Sequence, residues 1–187
     1  MKNSDHGVAD IIWLYRQKTV IFMHVIGMAI AFLMPIEKIS EGTFIASVVD
    51  GVLNVVPMGK NFSVKSTIPE LVRLQAAVMV FFMPSIIILY FSSPEFIETK
   101  KRMLKIMRAS KKKLLLIHFL PILSLACFLN YLIFVEGAEF AIAPFLTSRF
   151  FLGALGPIMF CIVPCGMICS FFVTSNVIFK FWRGINV

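Results

Sequence analysis

The chain has 187 residues, of which 59% are apolar and 15% charged, with a formal net charge of +8. An ordinary soluble domain is about 25% charged, and the mean hydropathy here is +0.89. This balance excludes a disordered chain, the usual nucleic-acid-binding domain and almost any water-soluble globule. It predicts an all-α integral membrane protein forming one membrane domain over residues 1–187.

Residues 1–18 carry three Lys/Arg and lead into the first uncharged run, Thr19–Ile36. Ala29-Ile30-Ala31 has the form of a leader cleavage site, but the apolar run continues through Phe32, Leu33 and Met34. It therefore reads as a span over about 19–36 rather than a cleaved leader.

The segment 37–73 is the longest polar stretch. Within it Ile45, Val48, Val49, Val52, Leu53 and Val56 share one helical face, opposite Ser47, Asp50, Gly51 and Asn54. The pattern predicts a short amphipathic helix in the first outer loop. It serves either as a lid packed on the bundle or as a recognition element, in which case Val49 and Val52 are the candidate partner-binding residues. Pro57, Gly59 and Asn61 are expected to end it. Ser66-Thr67-Ile68-Pro69-Glu70 then offers a helix start near Pro69.

The second span is expected over about 74–94. Ser93-Pro94-Glu95 can open a further helix in the loop 95–113, which holds eight Lys/Arg. Met103, Leu104 and Met107 share one face of it. Its cations Lys100, Lys101, Arg102, Lys111, Lys112 and Lys113 suit anionic lipid headgroups on a cytoplasmic surface. Interleaved aromatic residues are absent, so nucleic acid is not an expected partner.

The third span is expected over about 114–135. The last uncharged run, Phe150–Phe179, is long enough that Gly153, Gly156, Pro157 and Pro164 should interrupt it. The main span is placed over about 156–179, with interfacial structure from about Phe140 to Leu155 and a break at Ala143-Pro144. Alternate segments lie on one side of the membrane, which gives 13 Lys/Arg on one side and 5 on the other. The basic side should be cytoplasmic, so both termini lie inside. Trp13, Tyr15, Tyr90 and Trp182 fall at that interface and Tyr131 near the other.

The four runs hold no Asp, Glu, Lys or Arg, which argues against an ion-coupled transporter. No phosphate loop, metalloprotease motif or nucleophile elbow occurs, so no enzyme is expected. His24 and His118 fall at similar depth, the geometry that a haem b ligand pair needs, so a haem-carrying electron-transfer subunit is a further alternative. Their ordinary reading is a hydrogen bond to a neighbouring helix, and no cofactor is expected. Cys161, Cys165 and Cys169 recur every four residues and continue a small-residue seam from Gly153 and Gly156. Such a seam allows close helix packing, which makes Gly153 and Gly156 the second pair of candidate partner-binding residues.

With four spans, Thr19–Ile36, Leu74–Pro94, Leu114–Val135 and the last run, and with Lys100-Lys101-Arg102 and Lys111-Lys112-Lys113 on the inner side, the chain resembles the small bacterial inner-membrane immunity proteins against pore-forming colicins of the colicin A type. Conjugative entry-exclusion proteins are similar at this level. The resemblance is one of architecture and carries over no functional residue. It implies a non-enzymatic inner-membrane protein that recognises another membrane protein, such as an inserting toxin or a conjugation partner. The alternative from another class is a structural subunit of a secretion or conjugation apparatus.

Overall fold

The computed structural model describes residues 17–39, 42–64, 66–109, 111–133 and 147–183. Side chains are described for all of these except 38, 95, 109, 111–116 and 132–133. All regular structure among the described residues is helical. Trp13, Tyr15 and the Ala143-Pro144 break lie outside them, as do the side chains of Lys111, Lys112 and Lys113.

Helix α1 runs Lys18–Leu33, so it stops short of the expected Ile36. The reason is Pro35: the residue before a proline is driven out of the helical region, and Met34 sits at φ −83°, ψ 121°. Proline also has no N–H to return to the Ala31 carbonyl four residues back. The Arg149 guanidinium donates to that carbonyl instead, at 3.4 Å. A 3₁₀ turn, Ile36–Lys38, follows.

The expected amphipathic helix is α2, Phe44–Val55. Its N-cap is Thr43, whose hydroxyl accepts from the Ala46 N–H at 3.1 Å. Gly42 precedes it at φ 88°, a left-handed conformation that glycine takes without strain. Val49 and Leu53 are buried. Pro57 ends the run, but Gly59 and Asn61 do not lie in a loop as expected. They belong to a further short helix, α3, Met58–Val64. Gly59 has a packing reason: a Cβ there would sit 2.5 Å from the Ala76 Cβ and 2.7 Å from Leu53 Cδ2.

Helix α4, Pro69–Ser92, opens at the expected proline. It begins five residues earlier than the expected span, so Glu70 and Arg73 ride on its first turns. Pro94 opens α5, Pro94–Ala109. Leu104 and Met107 are buried there, with Met103 packed beside them. Helix α6 covers Lys111–Ile133.

The last run differs most from expectation. It is helical from Arg149 to Trp182, 34 residues, so the expected boundary near 156 does not interrupt the helix. It comprises α7, Arg149–Pro157, a π turn, Ile158–Ile162, and α8, Val163–Trp182. The π turn sends the Val163 N–H to the Ile158 carbonyl, five residues back. The Met159 carbonyl then loses both possible donors, because the next one along would be Pro164. Tyr131 of α6 replaces them, its hydroxyl donating to that carbonyl at 2.6 Å.

Two helical stretches, Pro69–Ser92 and Arg149–Trp182, are long and apolar enough among the described residues to cross a membrane. Only 33% and 39% of their most apolar windows are buried inside the protein. A core helix of a soluble protein would hide most of that surface. Helix α1 has 16 residues, about 24 Å of helix against a hydrocarbon core of about 30 Å. The described apolar part of α6, Ile117–Tyr131, is likewise short.

The interior has two clusters. The larger joins α1, α2, α3, α4, α7 and the π turn around Phe62, Leu53, Met23, Met79 and Phe160. Its aromatic centre is Phe62, 5.7 Å from Tyr131 and 5.5 Å from Phe160. The smaller one joins α5, α6 and the end of α8 through Leu104, Met107, Ile117, Val173 and Val177. Outside them lies a coat of exposed apolar side chains, among them Phe22, Phe32, Phe81, Phe119 and Phe172. So much apolar exposure fits contact with lipid tails.

Tyr131→Phe removes the donor to the Met159 carbonyl and nothing else. It should cost about 1–2 kcal/mol, read from the denaturant midpoint in detergent, with helix content unchanged.

Candidate functional site

Polar residues share a concavity where α2 meets the start of α4. A cleft of about 610 Å³ is lined there by Thr43, Ser47, Asp50, Asn54, Glu70 and Arg73, with Gly42 and Gly51 in its wall. The amphipathic pattern explains the arrangement. Helix α2 packs on α3 and α4 with Val49 and Leu53 buried, and Ser47, Asp50 and Asn54 share the concavity with Glu70 and Arg73 of the first turns of α4.

Arg73 reaches across the cleft to the Asp50 carboxylate in an ion pair. The two side chains are 26% and 44% exposed, so solvent screens the pair and its contribution is modest. Arg73 Nε is buried and finds no acceptor among the described residues. The Lys60 ammonium donates to Asn54 Oδ1 at the rim. Glu70 stands at the second position of α4, where the helix dipole favours a carboxylate. Gly51 lies in mid-helix and a Cβ there would meet nothing within 4 Å. Packing therefore does not require a glycine, although it costs a helix interior about 0.5–1 kcal/mol relative to Ala.

The expected partner-binding residues fall elsewhere. Val49 is 4% exposed and belongs to the core, with Val52 packed against that core. Gly153 and Gly156 are buried as well. A Cβ on Gly153 would lie 2.6 Å from Met28 Sδ and 3.3 Å from the Ala31 Cβ, so this glycine lets α1 and α7 approach. A Cβ on Gly156 would collide with the Gln75 amide. Val49, Gly153 and Gly156 serve internal packing, Val52 is half-buried, and the open surface of α2 carries Phe44, Val48 and Val55 as well as Ser47, Gly51 and Asn54.

Gln75 was not singled out by the sequence, because it sits one residue inside an uncharged run. It is wholly buried. Its Nε2 donates to the Leu152 carbonyl at 3.0 Å, while Oε1 has no partner among the described residues. A Cβ on Gly27 of α1 would lie 3.0 Å from Nε2 and 2.5 Å from Pro157 Cγ. One amide thus occupies the meeting point of α1, α4 and α7.

The histidines are engaged separately. His24 Nδ1 lies 2.9 Å from the Val20 carbonyl, on α1, which packs on α7 and α4. His118 Nε2 accepts the Trp182 indole N–H at 3.1 Å, on α6, which packs on α8. The His118 bond crosses to a neighbouring helix as expected, whereas this His24 bond stays within α1. Cys161, Cys165 and Cys169 are buried as a packing stripe, whereas Cys127 is exposed. Among the described residues no group of three or more His, Cys, Asp or Glu side chains comes together as a metal site.

At the far end of α4 lies the basic helix α5. Lys100 stands 4.3 Å from the Phe96 ring centroid. Its ammonium is held below the usual lysine range by burial and, secondarily, by the nearby Lys180 cation. Arg183 covers Phe179 in the same way at 4.2 Å. Lys101 and Arg102 are exposed. The 24 residues of α4 hold the cleft and the basic helix about 36 Å apart.

No protein-family profile, no curated protein and no solved structure matches the chain.

Gly156→Leu forces a side chain into the space of the Gln75 amide. Overpacking of this kind should cost about 1–3 kcal/mol. Gly51→Leu, which points into open space and removes a mid-helix glycine, should raise the thermal midpoint slightly.

Proposed function

We propose that the protein is a non-catalytic multi-pass membrane protein of the bacterial inner membrane that works by recognising another protein, with immunity or exclusion as its role. The carrying observation is the cleft. It is a roomy polar concavity at the end of α4 away from the basic helix α5, and its lining holds no histidine, cysteine or lysine. Such a pocket suits holding a group better than transforming one.

In this reading α1, α4, α6 and the α7–α8 run are the four spans, and both termini face the cytoplasm. A first helix of 16 residues spans with local thinning of the bilayer or with flanking residues reaching to the interface. The basic helix α5 rests on anionic headgroups through Lys100, Lys101, Arg102 and the following Lys111, Lys112 and Lys113. The cleft then faces the outer side, where an arriving toxin or donor-cell component is met first.

Single cysteines test the orientation in a Cys127→Ser background. Ser47→Cys should react with an impermeant maleimide on intact spheroplasts, and Arg102→Cys only after permeabilisation. The reverse pattern inverts the topology.

The role is tested by challenge. Cells expressing the protein are exposed to a panel of pore-forming colicins, with potassium efflux as the readout, and to conjugative donors, with transfer frequency as the readout. At least one challenger should be reduced by about tenfold, equivalent to about 1.4 kcal/mol of differential binding. Unchanged efflux and transfer across both panels would remove this role.

A further inference from the structure

We propose that the seam between α5 and α8 is a binding site for one anionic phospholipid, with its phosphate held between the Lys100 and Lys180 ammonium groups and an acyl chain lying on the aromatic rings beside them. This rests on the reading of α5 as a membrane-surface helix and is independent of the immunity or exclusion role.

The position of Lys100 is the first argument. Phe96, Lys100, Met103, Leu104 and Met107 recur at helical spacing on one face of α5. That face packs on α6 and α8, with Leu104 and Met107 buried against Val173 and Val177. A lysine therefore stands in the packing stripe. It is half-buried, whereas Lys101, Arg102, Lys105 and Arg108 on the same helix are exposed. Lys180, in the last turn of α8, is half-buried too. No carboxylate answers this pair. Helices α6 and α8 hold no Asp or Glu. Helical positions five and two residues before Lys100, which Glu95 and Glu98 occupy, do not face it. Neither lysine forms an ion pair among the described residues. Burial first, and the Lys180 cation second, hold the Lys100 ammonium below the usual lysine range. Two half-buried like charges are unfavourable for the protein alone. A phosphate between them offers acceptor oxygens to both and turns the repulsion into charge-assisted hydrogen bonds.

An aromatic track is the second argument. The Lys100 ammonium lies 4.3 Å from the Phe96 ring centroid. Phe96 stands 5.0 Å from Phe91 of α4, and Phe91 stands 6.2 Å from Phe172 of α8. Phe91 and Phe172 are exposed. Phe172 precedes Lys180 by about 12 Å of helix, toward the membrane interior. A soluble anion would use the two ammonium groups and leave the rings bare. A molecule with a phosphate at one end and a hydrocarbon chain at the other uses both. A zwitterionic headgroup would bring its own cation among Lys101, Arg102 and Lys105, so a net negative lipid is favoured.

The test is thermal unfolding of the full chain in a neutral maltoside detergent, titrated with phosphatidylglycerol, phosphatidylcholine, glycerol phosphate or inorganic phosphate. Phosphatidylglycerol at about a hundredfold its dissociation constant should raise the midpoint by about 5–10 °C. Phosphatidylcholine should bind about tenfold more weakly, and the two soluble phosphates should leave the midpoint unchanged at the same concentration. Lys100→Gln and Lys180→Gln should each weaken phosphatidylglycerol about tenfold, while Lys100→Arg, which keeps the charge, restores binding. Phe172→Ala should weaken it as well. Lys105→Gln, which removes an exposed cation from the same helix, should leave the affinity near the parent's.

Equal weakening by Lys105→Gln and Lys100→Gln would mean diffuse attraction and overturn the site, leaving α5 at the membrane surface. An equal shift with inorganic phosphate would make the occupant a soluble anion. Equal affinity for the two lipids would remove the selection by charge. Either result overturns the proposal, as does an unchanged midpoint with phosphatidylglycerol. Release of the chain from native membranes by alkaline carbonate would overturn the membrane reading and the site with it, whereas a failed titration of a carbonate-resistant chain rejects the site alone.

Discussion

The Gln75 amide is the constraint around which the helices are arranged. Burying an amide in an apolar interior is unfavourable unless it is hydrogen-bonded. Its bond to the Leu152 carbonyl fixes how far α7 stands from α4. Gly27 and Gly156 then leave room for it on both sides. In lipid there is no hydrophobic drive between helices, and packing against small residues with occasional polar bonds has to hold them. A bulkier residue at either glycine would separate α1 from α7 and loosen the bond that locates α4.

A second regularity concerns proline. A proline in or just after a helix withholds an N–H from a carbonyl of the preceding turn, and two such carbonyls here are served by another helix. Pro35 releases Ala31, which Arg149 serves. Pro164, together with the π turn, releases Met159, which Tyr131 serves. Both donors come from a different helix, so a local defect becomes a cross-link between elements. Arg149 ties the outgoing end of α1 to the incoming end of α7. Tyr131 ties α6 to the centre of the molecule.

Local chemistry was legible in the sequence where it involved periodicity or caps. The amphipathic helix at 44–55, the starts at Pro69 and Pro94 and the buried face of Met103, Leu104 and Met107 all follow from spacing and turn residues. The all-helical fold follows from composition. The continuity of the last helix was not legible, because two prolines and two glycines ordinarily mark breaks. Here a π turn absorbs one proline, and a glycine that looks like punctuation is contact surface. The cleft was half legible. Ser47, Asp50, Gly51 and Asn54 stood out as one polar face, but nothing local pairs Asp50 with Arg73, 23 residues away. Val49 drew attention as a partner surface through the same apolar spacing that buries it, with Val52 half-buried beside it: an apolar stripe is first of all a face for the protein's own core.

The π turn between Pro157 and Pro164 also changes the phase of the last helix. One additional residue in the turn rotates everything after it by about 100° relative to an uninterrupted α-helix. Upstream, Gly153 and Gly156 are turned to α1 and Gln75. Downstream, Val173 and Val177 are turned to α5 and α6. A straight helix of this length would offer its small-residue stripe to one neighbour only. The offset lets a single rod serve as wall to two separate packing clusters and mechanically joins the end of the molecule that holds the cleft to the end that holds the basic helix.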